Sequence, residues 1–170
     1  MKIKKFATYA LGALAVLTAA TYALPRHVNI ERSAMVDAAP GAVLALAASN
    51  TGYQSFNPYS DLDPDLKVKM FGPSSGVGSG FSFESKDGAG QQMVAAVDGN
   101  TVTFALDLGP MGQPKQAISA VALDGATEVT WTMDMDLGLN PIFRIMGLFM
   151  DSMIGPNFEL GLAKINAVTA

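Results

Sequence analysis

Between Leu66 and Asp136 the sequence alternates apolar and polar residues in short segments, and glycine-containing turn signals close nearly every one. Lys67–Phe71 runs into Gly72-Pro73-Ser74-Ser75-Gly76, Gly80–Ser85 into Lys86-Asp87-Gly88, and Gln91–Val97 into Asp98-Gly99-Asn100. Thr101–Leu108 then runs into Gly109-Pro110, and Gln116–Leu123 into Asp124-Gly125. Such spacing reads as successive hairpins, because tight turns need backbone conformations that glycine adopts at no steric cost. One parity carries Phe81 and Phe83, then Val102, Phe104, Leu106 and Leu108, then Val129, Trp131, Met133 and Met135. Ser82, Glu84, Thr103, Asp107, Thr130, Thr132, Asp134 and Asp136 occupy the other. An antiparallel sheet with one apolar and one wet face follows. Residues 28–37 add a strand with Val28, Ile30, Ala34 and Val36 on one side; Arg32 interrupts that parity and is expected at an edge. About seven strands result, and their apolar face needs a cover.

Two regions can supply it. Pro40 suits the first turn of a helix, and GAVLALAAS continues it to about Ser49, with Asn50-Thr51-Gly52 read as its stop. The stretch from Tyr53 to Asp65 reads as a turn or a second short helical piece. Near the C-terminus, Asn140-Pro141 opens a long helix in which Ile142, Met146, Phe149, Met150 and Met153 recur at three- and four-residue spacing. They are expected to form the stripe that lies on the sheet, with Arg144, Asp151 and Ser152 off it. Pro156 should kink the helix before it resumes through Leu160, Ile165 and Val168. The expected fold is α+β: a curved antiparallel sheet of about seven strands wrapped around a long C-terminal helix, in β-α-α-β(6)-α order.

Residues 6–24 hold no charge, follow Lys2, Lys4 and Lys5, and are followed by Arg26. At about 1.5 Å per residue a helix of this length just crosses a hydrocarbon layer of about 30 Å. The lysines place the N-terminus in the cytoplasm and residues 27–170 on the periplasmic or extracellular side of the inner (plasma) membrane. Thr18-Ala19-Ala20 and Thr21-Tyr22-Ala23 support the alternative, a signal peptide cleaved on export to the periplasm. The chain thus divides into residues 1–26, a transmembrane anchor or signal peptide, and residues 27–170, one domain. Beyond Arg26 the 170-residue chain has seven bases against 15 acids, a net charge of −8 that disfavours nucleic acid as a partner.

Composition removes most catalytic machineries. There is no cysteine, and the single histidine, His27, provides neither a metal cluster nor a hydrolase base. Gly72-Pro73-Ser74-Ser75-Gly76 has the lettering of a nucleophile elbow, but no helix follows and no histidine comes after it. Asp61-Leu62-Asp63-Pro64-Asp65 starts like a calcium loop, yet Leu66 and Gly72 stand where that loop needs Gly and Glu. Gly76-Val77-Gly78-Ser79-Gly80 lacks the third glycine of a dinucleotide loop. Asp134, Asp136, Glu84 and Asp107 all sit on the wet parity. Neither metal nor cofactor is expected.

The order of these segments carries a resemblance. It runs from Asp37-Ala38-Ala39-Pro40 through Phe56-Asn57-Pro58-Tyr59, the Phe71–Ser79 turn and Thr127–Met133 to the helix containing Met153-Ile154-Gly155-Pro156-Asn157-Phe158-Glu159-Leu160-Gly161-Leu162. Over residues 28–168 this is similar to the polyketide cyclase/dehydrase-like branch of the START-like (SRPBCC) superfamily, and residues 1–27 resemble its membrane-anchored bacterial members. The resemblance implies a helix-grip fold whose sheet and C-terminal helix enclose a cavity for lipids, polyketides or other apolar molecules. Members commonly place tryptophans where this chain has Tyr53, Phe56 and Tyr59. The candidate lining is Phe56, Tyr59, Phe81, Phe83, Phe104, Trp131, Met133, Met146, Met150 and Ile154, with the Tyr59 hydroxyl or the Trp131 indole to orient a guest. The expected function is binding of a hydrophobic small molecule or lipid. Two alternatives stand beside it: a cyclase/dehydrase-like enzyme using Tyr59, Glu84 or an aspartate for proton transfer, and a structural envelope module with a filled interior.

Overall fold

A computed structural model describes residues 9, 11–12, 15–16, 18–86 and 88–169. The elements are β1 (His27–Val36), α1 (Pro40–Ala47), α2 (Asn50–Phe56), α3 (Tyr59–Leu62), β2 (Lys67–Phe71), β3 (Gly80–Ser85), β4 (Gly88–Asp98), β5 (Thr101–Asp107), a 3-10 turn at Gly109–Met111, β6 (Lys115–Leu123), β7 (Ala126–Asp136) and α4 (Pro141–Thr169). The strands form one antiparallel sheet in the order β1-β7-β6-β5-β4-β3-β2. The hairpin turns thus yield a meander, and the N-terminal strand closes it beside β7. Register sets Arg32 opposite Trp131, Trp131 opposite Ile118, and Ile118 opposite Val102. The apolar parity buries Val102, Phe104, Ile118, Val129, Trp131 and Met133 beneath the helices.

Asn50-Thr51-Gly52 does not end a helix; it is the first turn of α2. The Ser49 hydroxyl accepts a hydrogen bond from the Gly52 amide at 3.1 Å, a side-chain cap that starts a new helix directly after α1. The Phe71–Ser79 turn folds back onto this junction, where the Asn50 amide donates to the Ser74 carbonyl at 3.2 Å. Residue 52 has to be glycine, since a Cβ there would stand 2.5 Å from the Leu46 carbonyl oxygen.

The C-terminal helix sits on the sheet differently from the expected stripe. Ile142, Met146, Phe149 and Met153 are exposed, whereas Gly155, Phe158, Gly161, Leu162 and Ile165 are buried. The seat is made by glycines, which hydrophobic periodicity does not register. Gly147 lies against Val28 and Leu137, Gly155 against Arg32, and Gly161 against Trp131, each too close to admit a Cβ without displacement. One uninterrupted helix runs from Pro141 to Thr169, with Pro156 inside it.

Arg32 does lie on an edge strand, but its side chain points under α4. Its Nε donates to Glu159 Oε1 at 2.8 Å, and Nη1 and Nη2 donate to the two Asp151 oxygens at 2.9 and 3.0 Å. A guanidinium can occupy an otherwise apolar parity here because two carboxylates flank it on α4 and Gly155 leaves it room.

The start of the domain is held equally firmly. Arg26 makes a two-pronged bond to Asp136, at 2.7 and 2.6 Å, and the Gly138 amide donates to the same carboxylate at 2.8 Å. These bonds, the one from Arg26 foremost, hold the Asp136 carboxyl well below its ordinary value of 3.8. Arg32 lowers Asp151 in the same way. A carboxyl depressed in the folded state contributes stability above its unfolded value and loses it as pH falls through the folded one. The melting temperature should therefore fall as pH drops from about 5 to about 2, and Asp136→Asn with Asp151→Asn should flatten that dependence. Both carboxylates are exposed, so added salt should weaken the effect; thermal melts across pH at two ionic strengths check it.

Among the described residues no helix is long and apolar enough to cross a membrane, and the span read over residues 6–24 lies partly outside them. The described side chains Tyr9, Leu11 and Val16 are exposed. Where this run meets the domain, Arg144 of α4 donates to the Tyr22 and Leu24 carbonyls at 3.0 and 3.3 Å and to the Gly138 carbonyl at 3.1 Å. Arg144, expected off the core stripe, is consequently buried.

Candidate ligand-binding site

The register divides the covered face of the sheet into two zones. In the first, α2 places Tyr53 and Phe56 over Phe81, Phe104 and Trp131. Tyr53 has ring centroids 4.7 Å from Phe56, 5.3 Å from Phe81 and 5.5 Å from Phe104, while Trp131 stacks on Phe158 at 4.6 Å with 7° between the planes. This zone is full. A cavity of about 10 Å³ remains beside Tyr53, Ser79, Gln92 and Phe104, at the lower limit for one water molecule.

Gln92, Gln116 and Ser79, which also belong to this zone, are not among the residues expected from the sequence. The Trp131 indole donates to Gln116 Oε1 at 3.3 Å, so it is already committed to a partner inside the protein. The Tyr53 phenol meets the Gln92 side chain, and burial pushes its pKa far above the ordinary value while that bond opposes the shift. Ser79 Oγ is buried without a hydrogen-bond partner. A signal existed in the alternation, since Gln92 and Gln116 stand on the apolar parity of β4 and β6.

The second zone lies at the other end of the same strands. Phe81 pairs with Gln92 and Gln92 with Leu106, and Val68 pairs with Phe83 one row further on, toward the end of the strands that also carries Leu108; on the opposite edge Val28 pairs with Met135. The first half of α4 lies over the β1 and β7 side of this zone, as the seat of Gly147 on Val28 and Leu137 shows. Val68, Phe83 and Leu108 on the sheet side, and Phe143, Met150 and Ile154 on the helix, pack against the core while remaining only half-buried.

The ten expected lining residues therefore separate. Phe56, Phe81, Phe104, Trp131 and Met133 are buried, the first four of them in or against the aromatic cluster. Phe83, Met150 and Ile154 belong to the half-buried rim, and Met146, one turn before Met150, is exposed. Tyr59, on α3, is also part-exposed; burial of its phenol raises its pKa, and a hydrogen bond to Asn157 of α4 opposes the rise.

The carboxylates considered for proton transfer lie elsewhere. Glu84 is exposed opposite Lys67, Asp134 accepts from Asn29 at 2.8 Å, and Asp107 caps the Gly109 amide at 2.9 Å. Asp63 organises its own turn by accepting from the Asp65 and Lys86 amides. Among the described residues no group of three or more His, Cys, Asp or Glu could hold a metal ion. A shallower concavity of about 380 Å³ between Asp37–Pro40 and Ala122–Thr127 contains none of the expected lining residues.

Comparison with solved structures places this architecture in a known fold class, the Bet v1-like helix-grip fold. Norcoclaurine synthase from Thalictrum flavum superposes with a TM-score of 0.64 at 13% identity, over 84% of this chain and 92% of that one. The Aha1 dimer from Colwellia psychrerythraea gives 0.56 at 15% identity, over 84% and 96%. The di-domain ARO/CYC BexL of the BE-7585A biosynthetic pathway gives 0.62 at 12% identity, over 85% of this chain and 50% of that one. No family model matches the sequence, and no curated protein does.

Proposed function

We propose that this chain binds an apolar small molecule or lipid between the first half of α4 and the end of the sheet that carries Met135, Leu108, Phe83 and Val68. The domain does so on the non-cytoplasmic side of a membrane to which residues 6–24 tether it. One observation carries the binding reading: six apolar side chains from both sides of this zone are half-buried and border the core. Covering about 200 Å² of apolar surface there would contribute roughly 5 kcal/mol. Met150 suits such a site because an unbranched thioether chain repacks around guests of different shape. The same fold houses a synthase and an ARO/CYC of a biosynthetic pathway, which agrees with a small-molecule site. The filled aromatic zone favours the competing reading, a structural module without a guest.

Titration of the full chain with a fluorescent fatty acid separates the two. Saturable binding is expected, and Met150→Trp should weaken it about tenfold or more while leaving the unfolding transition in place. Unchanged affinity in the variant would remove the site from this zone. A wild-type chain that binds neither this probe nor other lipids would favour the structural module.

A further inference from the structure

The outward side of α4 changes character along its length. Ile142, Ile145, Met146, Phe149 and Met153 fall within an arc of about 100°, taking 3.6 residues per turn. This arc lies opposite the side on which Gly147, Ile154 and Phe158 meet the sheet. Ile142 is 64% exposed, Phe149 58% and Met153 61%, and Leu139 just before the helix is exposed as well. Beyond Met153 the same side carries Pro156, Ala163, Lys164 and Ala167, with Leu160 half-buried among them. The two charges of the first half are committed elsewhere, Arg144 to backbone carbonyls and Asp151 to Arg32. What remains is a contiguous uncharged apolar surface, the kind of patch that marks an interaction site.

The chain's own path identifies the occupant. Arg144, in the first turn of α4, binds the Tyr22 and Leu24 carbonyls, and its guanidinium lies 5.2 Å from the centre of the Tyr22 ring. The uncharged run of residues 6–24 therefore reaches the domain at the very end of α4 where the apolar arc begins. The exposed side chains of Tyr9, Leu11 and Val16 do not cover that arc.

We infer that the outward face of α4 from Ile142 to Met153 docks into the headgroup–acyl boundary of a phospholipid bilayer. This rests on residues 6–24 being an uncleaved membrane span. The span makes docking an intramolecular event, so a patch too weak to hold a free domain suffices. The arc has no basic residue, so apolar burial rather than charge drives the contact, and salt should not release it. In this orientation the half-buried rim beneath the same half of α4 lies close to the lipid surface.

The absence of cysteine allows a direct test with single-cysteine variants of the full chain, each carrying an environment-sensitive fluorophore, in phosphatidylcholine vesicles. Labels at Phe149→Cys and Ile142→Cys should shift to the blue, lose quenching by aqueous iodide and gain quenching by lipid-borne nitroxides. A label at Asn166→Cys on the same helix should stay in water, and one at Val16→Cys should sit in lipid. Iodide access to residue 149 with residue 16 in lipid would overturn the docking alone. With residue 16 in water the span itself fails, and the docking with it. Shielding of residue 149 from both quenchers would assign the face to protein, either the N-terminal segment or a second copy, and would also overturn the inference.

Discussion

Trp131→Ala is expected to remove about 3–5 kcal/mol of folding stability, read as a lower urea midpoint at unchanged slope. Trp131 is fully buried, stacks on Phe158 and contacts Phe56 and Tyr53 edge-on, so truncation opens a cavity that its neighbours can only partly close. The variant also strips Gln116 Oε1 of its indole donor, adding the cost of an unpaired buried carbonyl, about 1–3 kcal/mol. Trp131→Phe keeps much of the volume while losing the donor, and so separates the two contributions. This variant also bears on function. Were Trp131 the wall of an open chamber, alanine would simply enlarge it, and a loss below about 1 kcal/mol would reinstate the indole as a ligand contact.

Gly161→Ala should cost about 1–3 kcal/mol, in a helix where alanine would otherwise be the better residue. The added Cβ would stand 2.4 Å from Trp131 Cζ3. The indole cannot retreat, because Phe158 stacks on one side and the sheet lies beneath, so α4 has to lift. Lifting would also loosen Ile165 and Leu162 nearby on the same helix. Combining Gly161→Ala with Trp131→Leu should restore part of the loss. Additive losses, or a neutral Gly161→Ala, would show that the helix is not seated on the indole. Guanidine or urea unfolding of the four proteins gives the coupling directly.

These two residues illustrate what could be read in advance. The β-meander, its wet and apolar parities and the place of Trp131 in the core follow from period-two alternation and glycine turns, which act within a few residues. The seat of α4 does not. Gly147, Gly155 and Gly161 have no hydrophobicity to contribute to a periodic signal, and their role appears only when Val28, Arg32 and Trp131 are brought opposite them. The strong apolar signal from Ile142, Met146, Phe149 and Met153 was genuine, but it marked the face turned away from the sheet. Hydrophobic periodicity reports that a helix has an apolar side and is silent on what covers it.

The candidate site divides along the same line. Phe83, Met150 and Ile154 were legible as apolar positions near a sheet–helix boundary, but that the interior beside them is filled depends on where α2 sets Tyr53 and Phe56. That placement depends on the Ser49 cap and the turn that folds back to Asn50. Local alternation, turn chemistry and charge sufficed for the α+β class, the strand succession and the acidic character of the domain, since each acts over a short stretch of chain. Tertiary packing decided which aromatics fill the interior, that Arg32 lies beneath a helix between two carboxylates, and which side of α4 is left uncovered. Those outcomes depend on residues as far apart in the chain as Arg32 and Glu159, and only the folded sheet brings such residues together.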